Sequence, residues 1–194
     1  MKEQFIQLLQ STQRPGMDKV INYLEKYGFF TAPASISHHL NNEGGLLQHS
    51  MTVYETALAL RKTFVELKPE LEKELPDDSL IIAALLHDIC KADVYKKAQK
   101  WRKDKDGRWE TYDSYETDYS LLPVGHGEKS VIILLSLGLK MNKREIAAIR
   151  WHMGAWNLTL QSREEMGNIN EANSHIPLVP LLQAADSLST HLLE

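Results

Sequence analysis

Six side chains along the chain could do chemistry together: His49, His87, Asp88, His126, His152 and Asp186. His87 and Asp88 are adjacent and follow Leu80-Ile81-Ile82-Ala83-Ala84-Leu85-Leu86, a run that is apolar at every position. An ionised carboxylate in such a setting costs several kcal/mol unless it is paired, hydrogen-bonded or bound to a metal. No Arg or Lys lies within the two turns before Asp88. It is therefore either a hydrogen-bonded core carboxylate or, with the neutral imidazole of His87 beside it, half of a ligand pair for one cation. The other four occupy comparable places. His49 follows Gly44-Gly45-Leu46-Leu47-Gln48 at the start of a long apolar pattern, and His126 stands between two glycines at a helix start. His152 ends a helical segment, and Asp186 comes one turn after Leu182. Each alone reads as a satisfied core residue, but their recurrence on five apolar segments points to one shared site.

The elements that must position them are almost all helical. Apolar residues recur with helical period, and Gly and Pro punctuate them. The spacing predicts helices over Lys2–Thr12 and Met17 to about Tyr27, a short helix and turn over Pro33–Asn42, and a long helix from Leu46 to about Leu67. A central helix begins at Asp77-Asp78-Ser79, whose side chains suit an N-terminal turn. Further helices are expected near Val124–Leu137, Lys143–Met153 and Pro177–Leu192, with a loop over Gly154–Ile176. The fold class is mainly α, a helical bundle with a small β-hairpin insertion. The hairpin is Lys96–Thr117, where no apolar stripe exists and Asp106-Gly107 signals a two-residue turn. That turn would set Lys103 opposite Glu110, Lys100 opposite Asp113, Lys97 opposite Glu116 and Trp101 opposite Tyr112. Hairpin and loop both begin beside a candidate ligand and are expected to flank the pocket.

Composition narrows the class. With 194 residues, 43% hydrophobic and 25% charged, the chain suits one ordinary globular domain rather than a disordered or fibrous one. A net charge of -4 gives no general attraction to nucleic acid or anionic lipid. The single cysteine, Cys90, has no intrachain partner, and its expected role is that of a small buried hydrophobe rather than a nucleophile. No apolar run is long enough for a membrane span, and the start resembles no secretory leader. The expectation is a cytoplasmic protein without membrane association, with an oligomer compatible with the sequence.

The ordered set His49, His87-Asp88, His126, His152, Asp186, with Gly-Gly-Leu-Leu-Gln-His before it and Leu-Leu-His-Asp-Ile-Cys-Lys around its centre, resembles the HD superfamily of metal-dependent phosphohydrolases. Within it, the chain is similar to the HD domain of bacterial 3′-to-5′ exoribonucleases, although many members carry Gly where this chain has Cys90. The resemblance spans roughly Ile36 to Thr190, giving an N-terminal helical extension (1–35) and an HD domain (36–194). It implies a binuclear site. His49, His87, Asp88 and Asp186 would hold one metal, and Asp88 would bridge to a second held by His126 and His152. Mixed imidazole and carboxylate ligation suits two divalent transition ions such as Mn, Fe, Co, Ni or Zn. Such a pair lowers the pKa of a shared water and supplies hydroxide for attack on phosphorus.

Lys91, directly after the central motif, is the candidate for neutralising phosphoryl charge, and Asp88 with Lys91 is the expected catalytic pair. Lys129 and Arg150 are weaker phosphate candidates, and Trp109 and Trp156 could stack a base. The expected substrate is a phosphorylated small molecule or a short oligonucleotide, cleaved at a phosphodiester or phosphomonoester bond. The competing reading is a non-catalytic nucleotide or single-stranded nucleic-acid binding module with a structural metal, in which the hairpin's Trp and Tyr side chains would stack bases. His38 and His39, on the short segment before the Gly-Gly turn, could line the pocket, while His175 and His191 match no ligand position.

Overall fold

The computed structural model describes residues 1–36, 40–118, 120, 122–154 and 162–194. Helices α1 (Lys2–Ser11) and α2 (Met17–Lys26) lead to a long α3 (Gly45–Leu67), a 3-10 turn at Pro69–Lys73 and the central α4 (Asp77–Leu86). A short α5 (Lys91–Val94) feeds the hairpin β1 (Tyr95–Lys103) and β2 (Trp109–Thr117). Then follow α6 (His126–Ser136), α7 (Lys143–Trp151), α8 (Arg163–His175) and α9 (Leu178–Leu188), and the chain closes on a wide turn over Ser189–Leu193. Among the described residues the fold is mainly α with one antiparallel hairpin, as the apolar periodicity predicts. No described helix is long and apolar enough to cross a membrane.

Helix α4 is central because it has no polar face. Every residue from Ser79 to Leu86 is buried, against α3, α7, α9 and α1. Burying each large aliphatic side chain contributes about 1.5–3 kcal/mol, which fixes the helix on all sides. The first helical pair joins the same core through Phe5, Leu9, Val20 and Leu24, none of which has exposed surface.

Helices α4 and α7 are tied together at their starts. Asn142 caps α7 by accepting from the Arg144 and Glu145 backbone N–H groups, and Glu145 reciprocates at the Asn142 N–H. The fully buried Glu145 carboxylate also accepts from Ser79 Oγ of α4 at 2.7 Å. Arg14, from the link between α1 and α2, donates to it through both terminal nitrogens at 2.9 Å and contacts Asp78 as well.

Three expectations about local structure are corrected. The hairpin pairs Lys103 with Trp109 and Lys96 with Glu116, one residue out of the predicted register. The cause is the turn. Asp104 accepts from the backbone N–H groups of Asp106 and Arg108, and Gly107 takes φ +78°. The result is a three-residue Lys105-Asp106-Gly107 loop, in which the glycine occupies the left-handed position. The predicted charge ladder is lost, and Arg102 pairs with Glu110 at 2.6 Å instead. Because strand side chains alternate faces, the slip also moves Trp101 and Trp109 onto one face, which the predicted register would have separated. Second, no helix forms among the described residues of Pro33–Asn42. Third, the expected loop over Gly154–Ile176 contains α8, whose N-cap Ser162 accepts from the Glu165 N–H and whose Ile169 and Ala172 are buried. Its sparse apolar residues conceal the helical period.

Candidate metal centre

The six residues converge at one end of the bundle, each delivered by the terminus of an element or a residue near it. His49 lies in the second turn of α3. His87 and His152 are the C-cap residues of α4 and α7, with nearly identical backbone angles (φ -55°, ψ -35° and φ -58°, ψ -34°). A helix C-terminus leaves carbonyls without intrahelical partners, and each imidazole uses one. His87 Nδ1 donates to the Ala84 carbonyl at 2.8 Å, and His152 Nδ1 to the Ile149 carbonyl at 2.6 Å. A carbonyl only accepts, so both rings carry a hydrogen on Nδ1 and turn Nε2 inward. Asp88 follows His87 directly, His126 opens α6, and Asp186 sits in the last turn of α9.

The atoms that face one another are potential ligand atoms. His87 Nε2 is 3.3 Å from His49 Nε2 and 3.4 Å from Asp88 Oδ2, and His49 Nε2 is 3.3 Å from Asp186 Oδ1. Asp88 Oδ1 contacts His126 Nε2 and lies 3.4 Å from His152 Nε2. Among the described residues, three trios each bring one ligand atom per residue within 4.8 Å of the other two: His49, His87 and Asp88; His87, His152 and Asp186; Asp88, His126 and His152. Close approach of α6 to α7 makes the last trio feasible. A Cβ on Gly127 would stand 2.3 Å from the Arg150 carbonyl oxygen, so only glycine lets His126 come this near His152.

The electrostatics agree with a cation site. Burial alone would raise the Asp88 carboxyl, yet the Lys91 ammonium at 2.6 Å, with His87 and His126, holds it well below the usual carboxylate range. Asp186 is likewise held low against its burial, chiefly by His49. Burial opposes charge on Lys91, and Asp88 outweighs it, raising its pKa. Burial also works against protonation of His49, but Asp186 and Glu194 raise it to about 9. For His126 burial prevails and lowers the pKa, whereas at His152 Asp88 outweighs burial and raises it. The fit to a metal is testable on one atom. His152 Nε2 is buried and, among the described residues, makes no well-formed hydrogen bond, with Asp88 Oδ1 at 3.4 Å, an expensive arrangement unless a cation joins the pair. Four imidazoles and two carboxylates, with three rings anchored by a second hydrogen bond, are a donor set suited to a divalent transition metal.

A cavity of about 470 Å³ opens over this cluster. His49, Asp88, Lys91, His152 and Asp186 line it together with Gln183, Ser187, Thr190 and His191. The last four were not anticipated as pocket residues. All lie within about a turn and a half of Asp186, so helical spacing from that residue was the signal available. Lys129 and Arg150, expected near phosphate, are held elsewhere among the described contacts. Lys129 is buried against Asp93 at 3.0 Å, and Arg150 pairs with Glu128 and stacks on Trp151. Trp109 is exposed on the hairpin and does not line the cavity, while Trp156, His38 and His39 lie outside the described residues. Instead of flanking this cavity, the hairpin forms a separate cleft with Asn41, Asn42 and Glu43, in which Lys97 pairs with Glu43. Cys90 is buried, its thiol pushed up to about 12 by burial and by Asp88, and it packs against His126. His175 is exposed beside Glu171.

The family model described as HD domain matches residues 46–191 of the chain. Among curated proteins, the chain is similar to dihydroneopterin 2′,3′-cyclic phosphate phosphodiesterase of Methanocaldococcus jannaschii. The two are 36% identical over 93 residues, which is 48% of this chain and 34% of that protein, so the chain aligns with about a third of the relative's length. No solved structure matches it.

Proposed function

The chain belongs to the HD domain family, and from that membership we propose that it is a metal-dependent phosphohydrolase acting on phosphoesters of small molecules, nucleotides and short oligonucleotides among them. The observation that carries this reading is the convergence of the inward Nε2 atoms of His49, His87 and His152 on Asp88, with the rings of His87 and His152 held by Nδ1 hydrogen bonds to backbone carbonyls. In the proposed assignment, His49, His87, Asp88 and Asp186 would hold one divalent ion, and His126 and His152, with Asp88, would hold a second. When bound, such ions supply Lewis acidity toward a phosphoryl oxygen and make a water a better nucleophile at neutral pH.

The chain's own residues account for the rest. Asp88 supplies the negative charge around which both ligand groups assemble, and the Nδ1 hydrogen bonds of His87 and His152 keep their rings from rotating. Lys91 brings an ammonium to the cavity wall, where it offsets the charge that develops on phosphoryl oxygens during displacement. Hydrolysis breaks one P–O ester bond. Water adds its oxygen to phosphorus, and its hydrogens end on the phosphate and the leaving alcohol. A cavity of about 470 Å³ suits a mononucleotide-sized substrate. The relative's name, a phosphodiesterase for a 2′,3′-cyclic phosphate, supports small cyclic phosphodiesters as the first class to test.

The test is metal analysis of the purified protein, followed by turnover of 2′,3′-cyclic mononucleotides, linear mononucleotides and short oligonucleotides with Mn, Fe, Co, Ni or Zn. Metal-dependent turnover that a chelator abolishes is expected. A protein that binds metal and hydrolyses none of these would favour the binding-module reading, which draws its support from Trp101 and Trp109 lying exposed on one hairpin face.

A further inference from the structure

His87 and His152 borrow a carbonyl from the end of their own helix, but His49 has no such option. It sits in the second turn of α3, where backbone carbonyls are committed to intrahelical hydrogen bonds. Its acceptor comes from 145 residues away: the Glu194 carboxylate meets His49 Nδ1 at 3.0 and 3.2 Å. Both side chains are 1% exposed. A carboxylate this deeply buried is tolerated only where it is well partnered. The segment that carries it is anchored: Glu194 N–H donates to the Ser189 carbonyl, and the Ser189 hydroxyl donates to Thr56 Oγ1 of α3. The final turn thus lies against the helix that bears His49.

We propose that Glu194 is a positioning residue of the metal site, its carboxylate accepting the Nδ1 proton of His49 and so fixing the ring with Nε2 toward Asp88 and Asp186. The inference rests on the metal reading above and adds the outer partner of its first ligand. Carboxylate partners of this type orient the ring and raise the basicity of the coordinating nitrogen, and losing one typically weakens metal binding by about 10–100-fold.

The experiment is zinc titration of the full chain and its variants by chelator competition, with long-range proton–nitrogen NMR of the histidine rings in the zinc-loaded protein. Glu194→Ala is expected to weaken one zinc site by about 10–100-fold and to remove the far-downfield Nδ1 proton of His49. Glu194→Gln, nearly identical in shape, retains an amide oxygen that accepts without charge and is expected to fall between Ala and wild type. Because Gln preserves the packing, it decides the matter if Ala fails to fold. Wild-type zinc affinity and an unchanged His49 proton in Glu194→Gln would overturn the proposal while leaving the metal centre standing. A wild-type chain that takes up no zinc and hydrolyses no phosphoester would overturn both.

Discussion

Replacing Arg14 by Met probes whether the tie between the starts of α4 and α7 is worth what its burial implies. Arg14 is 13% exposed and its partner Glu145 is fully buried, so the substitution leaves a carboxylate in the interior without its cation. Breaking a buried pair in this way costs about 3–5 kcal/mol. Glu145 keeps three neutral donors, Ser79 Oγ at 2.7 Å, Asn142 Nδ2 at 2.8 Å and the Asn142 N–H at 2.9 Å, which places the expected loss near the lower end, about 3 kcal/mol. Asp78, whose side chain is 42% exposed, adds at most about 1 kcal/mol. For a domain of this size the melting temperature should fall by roughly 6–12 °C. Urea unfolding in the presence of chelator isolates the effect from metal binding. The double variant Arg14→Met with Glu145→Gln removes both charges and should recover most of the loss, giving a coupling of about 2 kcal/mol or more. A single-variant loss under about 1 kcal/mol, the size of an exposed pair, would refute the reasoning, as would losses that simply add.

Asp88→Ala should abolish phosphoester turnover and lower bound metal measured by elemental analysis, since the carboxylate shared by both ligand groups is gone. Normal turnover in that variant would defeat the shared-carboxylate assignment. In the metal-free protein, the His49 pKa of about 9 lies above its unfolded value near 6.5. Its stabilising contribution, on the order of 3 kcal/mol, is therefore complete below pH 6.5 and lost as pH rises through 9, which urea titrations at pH 6 and pH 9.5 in chelator would measure. The Cys90 thiol, pushed up to about 12 and buried, should resist iodoacetamide at neutral pH in the native protein and react fully in denaturant, as mass spectrometry would report.

The helical scaffold was legible because its apolar residues recur with the helical period over long stretches, most plainly in Leu80–Leu86 and Leu46–Leu67. The six candidate ligands were legible because charged or imidazole groups at the ends of apolar helices are costly and therefore conspicuous. Helix α8 was not, since Asn, Glu and Ser dominate it and only Ile169 and Ala172 are buried. The hairpin register depended on one residue of turn length. Asp106-Gly107 is the right pair for a two-residue turn, and the side chain of Asp104, by accepting two backbone N–H groups, selects the three-residue alternative. Glu194 lay beyond sequence reasoning for another reason. Nothing local marks a glutamate as the partner of a histidine 145 positions earlier, and only the packing of the last turn on α3 brings them together.

The odd-membered hairpin turn has an evolutionary corollary. Strand faces alternate by parity, so adding or deleting a single residue in Lys105-Asp106-Gly107 would exchange the partners of one entire strand, moving Trp109 away from Trp101 and bringing a different set of side chains beside each. The helical core would be little disturbed, because among the described residues the hairpin packs chiefly on itself and on the short α5, with Lys97–Glu43 linking it to the segment before α3. A change of turn length is thus a one-step edit that rewrites an entire outward surface at almost no thermodynamic risk to the interior. The outward face of the hairpin can thus be rebuilt by such insertions independently of the buried histidines and aspartates.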